Sequence, residues 1–302
     1  MPSRSEVQIA SNRESCQGSP RLPYSHRTRA QEHPLYLVLP YWEVGPIGPI
    51  QPWGFFVALG VVIGLIIGHH RAKAQGLSTD RFGNLAAWIL VGGFVGARLA
   101  HVFLYHWDDY RDNWAEIPAM WKGGMSSYGG FVGATLAGIA YIRRSNIDFW
   151  HYADVTSHGF VPGWAIGRIG CFAIHDHPGS ISHSPLAVYM KVGIPDEVTG
   201  KLIYRIDPRH DLGLYDGILT AFIWAFFIIA NRQPRKAGFY LGWMCVLYSI
   251  PRYFLDTLRA VDIDHADTRY LGLTPAQYGS IILVGLGGSI LWQRRFREQS
   301  PV

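Results

Sequence analysis

The sequence predicts an all-α polytopic membrane protein of about seven transmembrane helices, with a small periplasmic head inserted between spans four and five. Three observations carry this reading. Hydrophobic residues make up 49% of the 302 and charged residues only 16%, against roughly 25% charged in soluble domains. Apolar runs of about 20 residues recur, the length that crosses hydrocarbon as a helix. Clusters of Lys and Arg follow every second run, the alternation expected of cytoplasmic loops. The 11 Trp and 16 Tyr suit aromatic belts at the membrane interfaces. The formal charge of +5 is then assigned to those loops. No nucleic-acid motif is present, and no nucleic-acid partner is expected.

Residues 1–45 read as a disordered or interfacial tail. Met1–His33 is polar, carries Arg4, Arg13, Arg21, Arg27 and Arg29, and lacks the apolar core of a signal peptide. Pro34, Pro40, Pro46, Pro49 and Pro52 favour an extended entry segment over a spanning helix. The membrane domain is placed at 46–295 and a cytoplasmic tail at 296–302.

The first span is Trp53–His69, stopped by Arg71, Lys73 and Arg81. The second is Leu85–Tyr105, with Arg98 and His101 inside it, followed by an acidic loop bearing Asp108, Asp109 and Asp112. The third is Ser127–Ile142, stopped by Arg143 and Arg144. The fourth is Phe149–Phe172. A polar excursion over Ala173–Asp211 is too rich in Pro, Asp and His to span, and its strand-like runs Leu186–Val192 and Lys201–Ile206 suggest the head. The fifth span is Leu212–Ala230, stopped by Arg232, Arg235 and Lys236. The sixth is Ala237–Leu258 and the seventh Pro275–Trp292, stopped by Arg294, Arg295 and Arg297. The basic exits of the odd-numbered spans place the N-terminus outside and the C-terminus in the cytoplasm.

Charges inside apolar runs mark candidate sites, because a charge there is costly unless it meets a partner, water or a lipid head group. Arg168 sits in Gly163–Gly179, between Gly167 and Gly170, and its planar guanidinium suits phosphate. Asp154 precedes it in the same span. Arg98 lies beside His101. Ser127-Tyr128-Gly129-Gly130 opens the third span. Tyr248, Arg252, Asp256 and Arg259 follow at helical spacing, and Arg252 with Asp256 can pair at i,i+4. Arginines on the outer halves of several spans suggest a site for an anionic lipid head group. Each residue also has a structural reading: an intramembrane pair, a cap, or close glycine packing. The three cysteines, Cys16, Cys171 and Cys245, form no CxxC pair, so neither a zinc site nor a disulfide framework is supported. His175-Asp176-His177 is weak as a metal motif, and no metal is assigned.

These motifs, in order, resemble those of prolipoprotein diacylglyceryl transferases. Gly167-Arg168-Ile169-Gly170-Cys171-Phe172 resembles the family's G-R-x-G-N-F. Gly96-Ala97-Arg98-Leu99 resembles its G-G-R run. Gly123 through Gly133 resembles G-G-M-S-x-H-G-G-L-x-G, Arg209 through Asp216 resembles R-H-P-x-Q-L-Y-E, and Tyr248 through Arg259 resembles Y-x-x-x-R-x-x-x-E-x-x-R. The resemblance implies transfer of the diacylglyceryl group of phosphatidylglycerol to the lipobox cysteine of a prolipoprotein, by a monomer in the bacterial inner membrane, without cofactor or metal. It implies that Arg168 and Arg252 hold the phosphate, with Arg98, Gly129, Gly130, Asp154, Asp176, Tyr248, Asp256 and Arg259 around the lipid.

The chain departs from the family pattern at the chemistry. The family's histidine in H-G-G is Tyr128, the asparagine after G-R-x-G is Cys171, and acidic positions are Asp176, Asp216 and Asp256. A phenol titrates at about 10 and is a poor base unless a cation depresses it. Either Tyr128 acts beside an arginine, or His175, His177 or His101 supplies the base. If none does, the protein is a lipid- or lipoprotein-binding paralogue that kept the arginine clamp.

Overall fold

The computed structural model describes residues 42, 44–45, 51–119, 123–196, 201–264 and 266–296. Most of the proposed tail 1–45 and nearly all of 296–302 lie outside the described residues. Among the described residues, seven helices of 17 residues or more follow one another: α1 Pro52–Ala74, α2 Thr79–Ala100, α3 Ser127–Ser145, α4 Phe149–Ile174, α5 Leu212–Ala230, α6 Phe239–Leu255 and α7 Pro275–Phe296. Three of them, α1, α2 with its π-helical continuation to Tyr105, and α5, are long and apolar enough to cross a membrane by length and composition. The others carry polar residues inward: Asp154, Ser157 and His158 of α4 are buried, while apolar side chains such as Leu136, Ile250 and Ile282 are exposed.

The expectation of an all-α chain is corrected by a three-stranded antiparallel sheet of order β1-β3-β2. Its strands are β1 Pro178–Ile181, β2 Ala187–Pro195 and β3 Leu202–Asp211, within the segment assigned to the head. Val188, Met190 and Val192 alternate into a small core with Phe172, Trp42 and Ile263, while Tyr189 and Lys191 face outward. This is the period of two that a half-buried strand requires.

Helix starts follow from capping. Ser78, Ser126, Asp148 and Asp211 each accept a main-chain N–H of the first turn of α2, α3, α4 and α5, which satisfies an otherwise orphaned donor. The second span therefore begins at Thr79 rather than Leu85. At its far end α4 is closed by His175, in the left-handed conformation with φ 52°.

The helices pack in pairs, α1 against α4, α2 against α3, and α6 against α7. All three crossings run through glycine, the α6–α7 one at Gly242 and Gly287. A Cβ on Gly60 would lie 2.3 Å from the Gly163 carbonyl oxygen, and one on Gly129 would lie 2.4 Å from that of Gly96. Missing side chains are what allow main chains to approach so closely. Here Gly129 is seated on Gly96 and Ala100, and Gly130 faces Ala97.

The bundle has two chemically distinct ends. At one, Arg71 donates to Asn231, and Arg294 Nε donates to the Ala237 carbonyl at 2.7 Å. The C-termini of α1, α5 and α7 therefore gather there with their basic residues. The start of α1 approaches Gly170 near the end of α4 at the other end, where the sheet follows directly.

Candidate active site

Arg168 lies in the last turns of α4, facing the first turns of α5. Its Nε is 2.5 Å from Asp216 Oδ2, and both side chains are largely buried. Its guanidinium also lies 4.7 Å from the centre of the Trp164 ring, one turn earlier, where the ring's negative face favours a cation. Arg168 NH1 is 3.6 Å from Cys171 Sγ. From α6, the Tyr248 hydroxyl donates to Asp216 Oδ2 at 3.3 Å. One turn further, Arg252 NH1 is 2.9 Å from Asp256 Oδ1. Asp256 is fully buried and also accepts the Thr274 hydroxyl just before α7. Arg252 lies within the electrostatic reach of Tyr248, Asp216 and Arg168. Helices α4, α5 and α6 thus bring two arginines, two carboxylates and a phenol to one end of the bundle.

The segment after α6 is held to the sheet. Gly179 of β1 bridges Arg259, and the Ala260 N–H donates to the Pro178 carbonyl at 3.3 Å. Arg209 of β3, with no exposed surface, donates to Asp262 at 2.9 and 2.5 Å and to the Gly179 carbonyl at 3.1 Å. Arg259 itself pairs with Asp267. Tyr128, at the start of α3, is 46% exposed and lies in the fields of Asp267, Asp256, Arg252 and Arg259. It therefore lies on the Arg252 side of the cluster.

Asp176 and His177 follow the last turn of α4. Burial pushes the Asp176 carboxyl up to about 6, against the pull of Arg168. Burial and the charges of Arg168, Arg259 and Arg252 push the His177 imidazole down to about 3. His177 Nδ1 lies 2.9 Å from the Asp176 carbonyl oxygen. A carbonyl only accepts, so neutral His177 carries its proton on Nδ1 and its lone pair on Nε2.

The structure separates some residues that the sequence grouped. Asp154 is not brought to Arg168. Its carboxylate accepts the N–H groups of Gly238 and Leu241 at 2.8 and 2.9 Å, capping α6 at the basic end. Arg98 is 2% exposed and is spent on the carbonyls of Glu116, Ile117, Gly123 and Gly124, shaping the loop that leads into α3. His101 stacks beside His106 with centroids 4.4 Å apart. His175 Nδ1 is 2.9 Å from buried Asp211 and its ring packs on Trp42 and Phe172. The left-handed turn at His175 sends it into the core of the head and leaves His177 on the arginine side. Conversely, Asp216, Trp164, Thr274 and Arg209 enter the site or its support. Of these, the motif around Asp216 was legible beforehand, whereas the partners of Trp164 and Thr274 depend on tertiary packing alone.

A buried arginine centre braced by carboxylates sits at one end of a helical bundle, three of whose helices are long and apolar enough to cross a membrane. The chain belongs to the prolipoprotein diacylglyceryl transferase family, whose model matches residues 41–293. Its relatives include proteins named phosphatidylglycerol–prolipoprotein diacylglyceryl transferase. The one from Staphylococcus carnosus is 28% identical over 263 residues, covering 86% of this chain and 91% of the relative. That from a Nostoc species is 29% identical over 252 residues, covering 81% and 85%. That from Listeria monocytogenes is 26% identical over 260 residues, covering 86% and 90%.

Proposed function

We propose that this protein transfers the diacylglyceryl group of phosphatidylglycerol to the lipobox cysteine of prolipoproteins, as a seven-span monomer of the bacterial inner membrane with its N-terminus outside. The observation that carries this reading is the convergence of Arg168 and Arg252 on Asp216 and Tyr248. The three strongly apolar helices support membrane insertion, and the basic exits of odd-numbered spans support the orientation.

In the reaction the acceptor thiolate forms a C–S bond to the glyceryl carbon, and the C–O bond to phosphate breaks. Glycerol 1-phosphate leaves. Negative charge grows on the departing phosphate, and preorganised cationic donors lower the barrier most where charge develops. Arg168 and Arg252 supply those donors, and Arg259 adds positive field. Asp216 and Asp256 hold the guanidinium planes, so that phosphate enters by displacing part of an existing ion pair. Tyr248 fixes the Asp216 carboxylate, and Tyr128 positions the lipid at the open side. The thiol proton goes to the Asp176–His177 pair. Asp176, held near 6, is well matched to proton removal at neutral pH. Lipid phosphate would offset the arginines that now suppress His177, raising its basicity as substrate binds.

The replacement of the family's histidine by Tyr128 favours a second reading, a lipid binder without transfer. Purified protein, phosphatidylglycerol and a lipobox peptide decide between them. Thioether formation that is lost in Arg168→Ala supports the transferase. Lipid binding without thioether supports the binder.

A further inference from the structure

The Trp164 indole N–H is a buried donor without a partner in the protein. A buried tryptophan normally places that N–H on an acceptor, and leaving it unpaired costs free energy. The ring is held on three sides. The Arg168 guanidinium lies over it, 4.7 Å from its centre. Phe160, one turn earlier on α4, stacks at 5.4 Å, and Phe131 of α3 meets it at 5.5 Å. Helix α3 packs along α2 rather than α4, so these rings bridge a seam between α3 and α4. Tyr128 shares the face of α3 that carries Phe131, being three residues away, and it lies in the fields of Arg252 and Asp256. The seam therefore runs up to the arginine cluster, and Phe131 and Phe160 bring exposed apolar surface to it.

Trp164 lies one turn before Arg168, about 6 Å nearer the basic end of the bundle. A diacyl phospholipid has the same order along its length: phosphate, then ester carbonyls, then chains. We propose that Trp164 reads the ester level of the lipid, its indole N–H donating to an acyl-ester carbonyl of the molecule whose phosphate meets Arg168. Phe131 and Phe160 flank the first carbons of the acyl chain. The carbonyl satisfies the one donor of the ring that the protein leaves unpaired. It also gives the site a preference for acyl esters, which arginines that bind any phosphate do not supply. The proposal rests on the reading of Arg168 as the partner of the lipid phosphate.

The test is calorimetric binding of dioctanoyl phosphatidylglycerol, and of its diether counterpart, to the full chain in detergent. The diether keeps the phosphate and the chains and lacks the carbonyls. The wild type should bind the ester at least about fivefold more tightly, the worth of one hydrogen bond to a donor otherwise left buried and unpaired. Trp164→Phe keeps a ring beneath Arg168 and removes the N–H, so the ratio of the two affinities should fall close to unity. Because the ratio is taken within one variant, a partly unfolded sample lowers binding of both lipids alike and leaves it unmoved. An ester preference that survives in Trp164→Phe, or no preference in the wild type, would overturn the proposal while leaving the phosphate reading intact. Binding of neither lipid by the wild type, or binding unaffected by Arg168→Ala, would sink the phosphate reading and the proposal with it.

Discussion

Arg168 Nε and Asp216 Oδ2 meet 2.5 Å apart across the contact between α4 and α5, and Tyr248 donates to the same carboxylate oxygen. The arginine is thus aimed before any ligand arrives. Arg168→Lys keeps the charge and loses the planar pair of donors. It should lower kcat for thioether formation by about 10²-fold, the scale of removing one transition-state donor. Asp216→Asn should also lower kcat, by releasing the guanidinium from its aim. Full activity in Arg168→Lys would reduce Arg168 to a structural residue.

The pH profile tests the proton acceptor. Asp176 has its carboxyl raised to about 6, so it is protonated below that value and ionised above it. A base must be ionised to act. The kcat/KM for transfer should therefore fall as pH drops through about 6. Asp176→Glu should keep this acidic limb, and Asp176→Asn should abolish it along with most activity. A limb that persists in an active Asp176→Asn variant would place the base elsewhere.

The clasp between β3 and the segment after α6 should govern stability. Asp262→Ala leaves the guanidinium of fully buried Arg209 without its main counter-ion. Asp262 is itself 40% exposed, so losing these charge-assisted bonds should cost about 1.5–3 kcal/mol, read as a lowered unfolding transition in detergent. Because the clasp holds the stretch leading from Asp256 through Arg259 to Asp262, transfer should weaken as well. An unchanged transition would show the clasp to be ornamental.

The α2–α3 crossing leaves no room at Gly129. A Cβ there would lie 2.4 Å from the Gly96 carbonyl oxygen, so Gly129→Ala must part the two helices at a cost of about 1–3 kcal/mol. Gly83→Ala, with nothing within 4 Å of the added carbon, serves as the control and should be neutral in the same unfolding assay.

Orientation is testable by labelling single cysteines introduced at Asp196 and Gln233. Asp196 ends the β2 side of the sheet and Gln233 lies in the basic turn after α5. An impermeant thiol reagent added to intact cells should reach the first and not the second. Reaction at Gln233→Cys from outside would reverse the topology.

Much of this was readable from residue order, and the failures share a cause. The fifth span falls on Leu212–Ala230 as expected, because an apolar run is bounded by a capping Asp211 and a basic turn. Arg252 and Asp256 pair as their spacing implies. The partners of Arg98 and Asp154 were not legible because they are main-chain carbonyls and amides, which leave no mark in a sequence. His175 and His177 were treated alike because nothing in a histidine's identity announces a left-handed backbone. The start of α2 was placed late because Asp80, Arg81 and Asn84 look like loop, while Ser78 in fact caps a helix.

Asp154 and the amide it receives from Gly238 are 84 residues apart. A ribosome feeding this chain into a bilayer makes the carboxylate first and the amides of α6 only after the sheet and α5 have emerged. Throughout that interval α4 holds an acid at the bundle's basic end with its last partner not yet made. Formation of α6 then completes this cap, and the same helix carries Tyr248 and Arg252 to the opposite end of the bundle.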